Sequence, residues 1–317
     1  YLMLSACGEY NESLIMQKYK SFVLPISLVL GYFLRQLCSE LSGLVPYVIF
    51  AILVLTFSGV RLSTLRPSKL DFWIASFQTV VSISFYLLVR AMTADEILAQ
   101  GALMCVLCPV ASSVTVVASM LGANPVRTTT YTIVGNLLVA FIAPVYISIV
   151  SDIDAQMDAM SMFLMIFARI AVVIALPFIV VWLIQRFLPK VNSAISVYKS
   201  FSFYLWAFAL FVTIGQTLDF VVMRWNESCD NVLWLGIISL FICFIQFSVG
   251  RMIGKKYNDR IAGGQLLGQK NSAMGIWMLN TFLNPIASVG LAFYSIWQNL
   301  FNSWQIFQSS RNKASKS

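Results

Sequence analysis

The chain has 317 residues, of which 59% are hydrophobic and 11% charged, with a formal net charge of +8 and no histidine. A soluble domain carries roughly 25% charged residues, so this composition, with a mean hydropathy of +0.81, excludes an ordinary soluble protein and implies an all-α polytopic membrane protein. The missing histidine excludes Ser-His-Asp catalysis, histidine-ligated zinc and haem, and histidine proton relays.

A membrane-crossing helix needs about 20 mainly apolar residues. In chain order the charge-free stretches predict ten crossings, at about 19–37, 43–60, 71–90, 96–121, 126–150, 160–188, 200–222, 231–253, 261–283 and 286–307. Asn284-Pro285 divides the last two, and residues 308–317 form a short basic tail. Ten crossings put both termini on one side. Sixteen of the 21 basic residues then fall on that side, among them Arg61, Arg127, Arg251, Arg260 and Arg311, while Arg35, Arg90 and Arg224 fall opposite and Arg169 and Lys270 lie inside the membrane. The acidic residues Glu40, Asp95, Glu96, Asp152, Asp154, Asp158, Glu227 and Asp230 gather opposite the termini. The positive-inside rule places both termini in the cytoplasm of a multi-pass protein of the bacterial inner (plasma) membrane. The surplus of +8 is thus a topological signal. It gives no support to a nucleic-acid partner. The partner it implies is the bilayer, and no obligate protein partner is expected.

Leu4-Ser5-Ala6-Cys7 has the form of a lipoprotein cleavage box, but no basic region or long apolar run precedes it, so it reads as chance. Cys105-x-x-Cys108 has redox spacing in an apolar helix, where cysteines act as small hydrophobes, and no disulfide framework is expected. With no histidine and no intramembrane carboxylate pair, no catalytic residues are expected and the chain is not read as an enzyme.

The fourth and ninth crossings are interrupted. In the fourth, Pro109 removes a helix hydrogen bond at mid-span, and Ser112, Ser113 and Thr115 follow with hydroxyls to cover freed backbone groups. In the ninth, Gly263, Gly264 and Gly268 lead into Gln269-Lys270-Asn271-Ser272, a poor lipid-facing helix. Irregular backbone at membrane depth is tolerated only where it is buried or lines a cavity. The two interruptions hold equivalent places in two five-crossing halves, 19–150 and 160–307. An odd number of crossings per half gives the halves opposite orientation, and paired broken helices mark a transporter's substrate site. The competing reading is a pair of ordinary kinked helices packed on small residues.

These features resemble the bile acid:sodium symporter family, bacterial branch. The resemblance rests on Phe57-Ser58-Gly59-Val60 with Leu65-Arg66-Pro67, Cys108-Pro109 followed by Gly122-Ala123-Asn124, Gly268-x-x-Asn271-Ser272, and Pro285 through Trp297-x-Asn299. It covers nearly the whole chain and implies one transporter domain over 1–317. In that fold two inverted five-helix repeats form a core and a panel, and helices four and nine cross at their breaks. The family couples two sodium ions to uptake of organic anions. Carried over by position, the sodium shell falls on Gln78, Thr115, Thr128, Thr132 and Gln269. The family glutamate falls on Leu266, the serine preceding Thr115's position falls on Val114, and the glutamine before Asn271 is Lys270.

The departures point away from sodium. Placing Na⁺ about 4 Å from an ammonium costs about 4 kcal/mol at an effective dielectric near 20. One glutamate with two sodium ions carries the same net charge as one protonated lysine. The expectation is that Lys270 replaces a bound cation and holds the crossing positive toward a small organic anion, bile-acid-like or another carboxylate or sulfonate, contacted by Pro109, Ser112, Ser113, Lys270, Asn271 and Ser272. No cofactor is expected. A symporter that keeps one sodium site, a facilitated, exchange or proton-coupled carrier, and an anion receptor that does not transport stay open as readings. Lys270 lies ten residues past Arg260, about 15 Å along a helix, too deep to snorkel to the interface. Arg169 reads first as structurally paired, with Asp219 as a candidate partner at comparable depth, and second as a substrate contact. Trp73, Trp225, Trp234, Trp297 and Trp304 read as interface anchors, and Trp277 with Met278 as cavity lining or packing.

Overall fold

The computed structural model describes residues 26–27, 29–61, 65–111, 114–151, 159–223 and 225–314. These residues are helical, and β-structure among them is limited to one isolated bridge between Val110 and Lys270. In chain order the helices are α1 (Arg35–Leu41), α2 (Val45–Ser58), α3 (Lys69–Thr93), α4 (Glu96–Leu107), α5 (Val114–Leu121), α6 (Pro125–Val150), α7 (Ala159–Phe187), α8 (Pro189–Val197), α9 (Ser202–Met223), α10 (Trp225–Lys256), α11 (Arg260–Gly268), α12 (Ser272–Phe282) and α13 (Ser288–Ala314).

Six stretches are long and apolar enough to cross a membrane: Arg35–Ser58, Lys69–Thr93, Val126–Val150, Phe163–Phe187, Tyr204–Met223 and Cys229–Lys256. The chain is therefore a multi-pass helical protein. Local chemistry sets the helix ends. Ser68 and Asp71 form a reciprocal capping box at the start of α3, which satisfies two orphan donors of the first turn. Asp95 caps α4 through Leu98 N–H (3.1 Å) and Asp259 caps α11 through Ala262 N–H (3.1 Å). Pro125 and Pro189 stand in the first turns of α6 and α8, where a missing N–H costs nothing. Gly122, with φ +99°, ends α5 in a conformation that side-chain-bearing residues rarely adopt.

The helices pack in two groups. In one, α2 lies against α7 and α9, and α1 lies on α9; in the other, α4 packs on α3 and α10, α11 on α10, and α13 on α10 and α12. Contacts of α6 with α7 and of α9 with α12 join them. The α10–α11 contact is very close. A Cβ on Gly263 would run into the backbone of Gly250 and Gly254, so these three small residues set the approach of the two helices, as small-residue interfaces do in membranes.

Charged pairs sit toward the helix ends. Arg35 Nε pairs with Asp219 at 3.4 Å, Arg90 with Glu96 at 3.2 Å, and Arg127 with Asp259 at 3.3 Å. The first corrects the expectation for Arg169. Asp219 is taken by Arg35 and by the Ser39 hydroxyl (3.0 Å). Arg169 lies exposed on α7, without an ion-pair partner among the described residues. Trp73, Trp234 and Trp304 are exposed, Trp297 is half-buried and donates to Gly236 O at 3.2 Å, and Trp277 is buried edge-on against Phe282. Cys38, Cys105, Cys108, Cys229 and Cys243 are free thiols.

Candidate functional site

The site is built where two helices stop and restart beside each other. Pro109 disfavours the helical conformation for the residue before it, and Cys108 is extended (φ −44°, ψ 137°) directly after α4. After α11 the backbone is likewise extended at Gln269 (φ −94°, ψ 119°), and α12 begins at Ser272. The two extended stretches run antiparallel and pair. Asn271 N–H donates to Pro109 O at 2.8 Å, Ala111 N–H donates to Gln269 O at 3.4 Å, and the Cys108 thiol reaches Asn271 O at 3.1 Å. Each stretch thus supplies partners for backbone groups of the other that lipid cannot satisfy.

A helix end leaves its last carbonyls without intrahelical donors and carries partial negative charge. At the end of α4 each of these carbonyls has a side-chain donor from elsewhere in the fold. Cys105 O accepts from Gln246 Nε2 (3.0 Å), Val106 O from Lys270 Nζ (2.7 Å), and Leu107 O and Cys108 O from Gln78 Nε2 (2.8 and 3.0 Å). Carbonyls only accept, so the NH₂ of Gln78 must face them, and its oxygen accepts from Tyr131 OH (3.2 Å). Lys270 is 1% exposed. Its ammonium rests on that carbonyl, within electrostatic reach of Cys105, Cys108 and Cys243, and no carboxylate pairs with it among the described residues.

A matching set of side chains holds the other break. Tyr294 OH donates to Gly268 O, the last residue of α11, at 2.8 Å and accepts from Gln246 Nε2 at 2.9 Å. Gln298 grips the Lys270 main chain on both sides, accepting from N–H at 2.8 Å and donating to O at 3.2 Å. On the first half Asn136 Nδ2 reaches Val110 O at 3.4 Å. Each residue of the Val110–Lys270 bridge therefore has its carbonyl held by an amide, and each break has a Tyr–Gln pair beside it.

The structure brings together Gln78, Pro109, Gln269, Lys270, Asn271 and Ser272 at the paired extended stretches. Asn271 caps α12 through Met274 N–H (3.3 Å), and the buried Ser272 hydroxyl has no hydrogen-bond partner among the described residues. Ser112 and Ser113 lie outside the described residues. Thr115 pairs with Thr129 (3.2 Å), whereas Thr128 and Thr132 are buried on α6 and donate to Asn124 O (3.4 Å) and Thr128 O (2.8 Å). Leu266, at the position of the family glutamate, is fully buried. Sequence reasoning missed Gln246, Tyr294, Tyr131, Asn136 and Gln298. Their signal was a polar group inside an apolar run, which by itself does not say what the group touches.

A family model described as the SBF-like CPA transporter family (DUF4137) matches residues 22–310. Comparison with curated proteins gives no match.

Proposed function

The chain belongs to the SBF-like CPA transporter family, and from that premise, which makes it a membrane transporter, we propose that it carries a small organic anion by alternating access without bound sodium. The observation that carries this reading is the lysine ammonium 2.7 Å from Val106 O, on the carbonyl end of α4 whose neighbouring carbonyls are all capped by amides. A sodium ion needs such carbonyls as hard oxygen ligands. Here they already hold a fixed positive charge and neutral donors.

The anion's side of the site follows from the same geometry. The N-terminus of α12 opens two residues after Lys270 and presents the positive end of its dipole to the site. Asn271 and the Ser272 hydroxyl, which has no partner among the described residues, stand at the start of α12, one and two residues from Lys270. Ser112 and Ser113 complete this shell in the proposal. Transport then moves the α3–α6 and α10–α13 group, as core, against the α1, α2 and α7–α9 group, as panel. At the acidic side the groups touch through Asn280 to Gln216 (3.1 Å) and Thr217 to Ser288 (2.8 Å).

The proposal includes ten crossings in two inverted halves, termini in the cytoplasm. Support comes from the matching Tyr131–Gln78 and Tyr294–Gln246 pairs. The four crossings beyond the six long apolar stretches have a physical reason to escape a length-and-hydropathy count. The fourth and ninth are split into short pieces, α13 carries a row of amides, and eight of the nineteen residues of the first lie outside the described residues.

The test is uptake of labelled taurocholate and a series of small carboxylates and sulfonates into proteoliposomes. Uptake that proceeds equally in sodium and choline media is expected. Uptake of any of these anions that requires a sodium gradient, unchanged by Lys270→Gln, overturns the proposal and favours the one-sodium symporter.

A further inference from the structure

We infer that a file of water enters from the basic end of the molecule and runs between α11 and α13 to Lys270, giving its ammonium a proton route from that side. The inference uses the reading of Lys270 as the centre of the transport site, but the water path stands on its own observations. Tyr294, Gln298, Asn302 and Gln305 recur every three or four residues and so share one face of α13. Gln265 lies on α11 and Gln269 on the extended stretch directly after it. The two sets meet. Gln265 Nε2 donates to Gln305 Oε1 at 3.1 Å, Gln269 donates to Gln265, and Gln298 holds the Lys270 main chain. Gln246 of α10 closes the inner end on Tyr294 OH. All seven side chains are buried, and Asn302 and Gln305 are only 7% and 6% exposed.

Seven uncharged polar side chains inside an apolar bundle need a reason, and mutual pairing does not supply it. Asn302 Oδ1 and Gln305 Nε2 at the outer part of the seam and Gln246 Oε1 at its inner end have no partner among the described residues. Buried amides of this kind are satisfied by ordered water. The row from Gln305 to Tyr294 covers about 16 Å of helix, which links the end carrying Arg260 and Arg311, cytoplasmic by charge, to the level of the breaks. The charged or titratable groups along the way are Arg251 and Arg260 near the mouth and Cys105, Cys108, Cys243 and Tyr294 around the ammonium. The amides are neutral at every pH. They carry water without holding charge, and the group that exchanges a proton at the inner end is Lys270.

The test is accessibility. Asn302→Cys, Gln305→Cys and, as a control on the far face of α11, Leu267→Cys are exposed to silver ion from the basic-end side in oriented vesicles. Remaining free thiol is read peptide by peptide by mass spectrometry, so the native cysteines can stay. Blocking at 302 and 305 at least tenfold faster than at 267 is the expected result, and equal rates overturn the path. As a check free of substitutions, hydroxyl-radical labelling of the unaltered protein should mark Tyr294 well above the buried Tyr131, and protection equal to that of Tyr131 overturns it too. The transport reading of Lys270 fails on a different measurement, sodium dependence of uptake, so either can fall alone.

Discussion

Replacing Lys270 by glutamine should convert a protein indifferent to sodium into one that sodium stabilises. In the parent, an ion on the Leu107 and Cys108 carbonyls would stand about 4 Å from an ammonium, and at an effective dielectric near 20 this costs about 4 kcal/mol. That is roughly a thousandfold in affinity. The variant removes the charge, frees Val106 O from its 2.7 Å donor and adds an amide oxygen as a ligand. If its sodium Kd is ~10 mM, 150 mM NaCl stabilises the folded state by about 1.6 kcal/mol, which is a melting shift of about 3 °C for a chain of this size. The assay is thermal unfolding of the purified protein in NaCl against choline chloride at equal ionic strength. The parent should show no difference and Lys270→Gln a rise. A sodium-specific rise of the same size in the parent refutes the reasoning, and so does its absence in a folded Lys270→Gln protein.

Gln78→Met strips donors from Leu107 O and Cys108 O and an acceptor from Tyr131 OH; at about 1–3 kcal/mol for each stranded group, chemical denaturation should show a loss of at least about 3 kcal/mol. Gly263→Val should force α10 and α11 apart, since the backbone of Gly250 and Gly254 has no room to yield; overpacking of about 1–3 kcal/mol or more should appear as lost yield and a lower melting temperature, and unchanged values would contradict the close contact. Arg35→Ala leaves the buried Asp219 with Ser39 alone and should cost about 1–2 kcal/mol, discounted because Arg35 is partly exposed; adding Asp219→Asn should recover part of it. Asn302→Leu with Gln305→Leu should weaken the pH dependence of uptake, measured in proteoliposomes, while leaving sodium indifference in place.

How much of this was readable beforehand depends on the range of the physics involved. Long apolar runs announce themselves, so α3, α6 and α7 fall within a few residues of their expected bounds, and Pro109 and Gly268 mark the breaks because both act on their own backbone. The short helix α8 was not foreseen. Hydropathy over a 20-residue window cannot register nine residues, although Pro189 at its first turn was a local clue. Long-range partners were the least legible. Asp219 at comparable depth to Arg169 suggested a pair, yet Arg35 reaches it instead, since sequence gives depth but not which helix faces which. The Tyr–Gln pairs were hidden for the same reason: Gln246 and Tyr294 look like isolated polar residues until α10 and α13 are seen side by side. Lys270, central to the proposed site, stood out in the sequence because a charge at that depth must be resolved by a specific contact, and its contact is the carbonyl end of α4.

Equilibrium binding of radioactive ²²Na⁺ to the purified wild-type protein tests the central claim most directly. If the Lys270 ammonium occupies the cation's place, no saturable binding is found up to the concentrations at which Lys270→Gln binds. Saturable ²²Na⁺ binding to the wild type, displaced by unlabelled sodium and unchanged by Lys270→Gln, would contradict it.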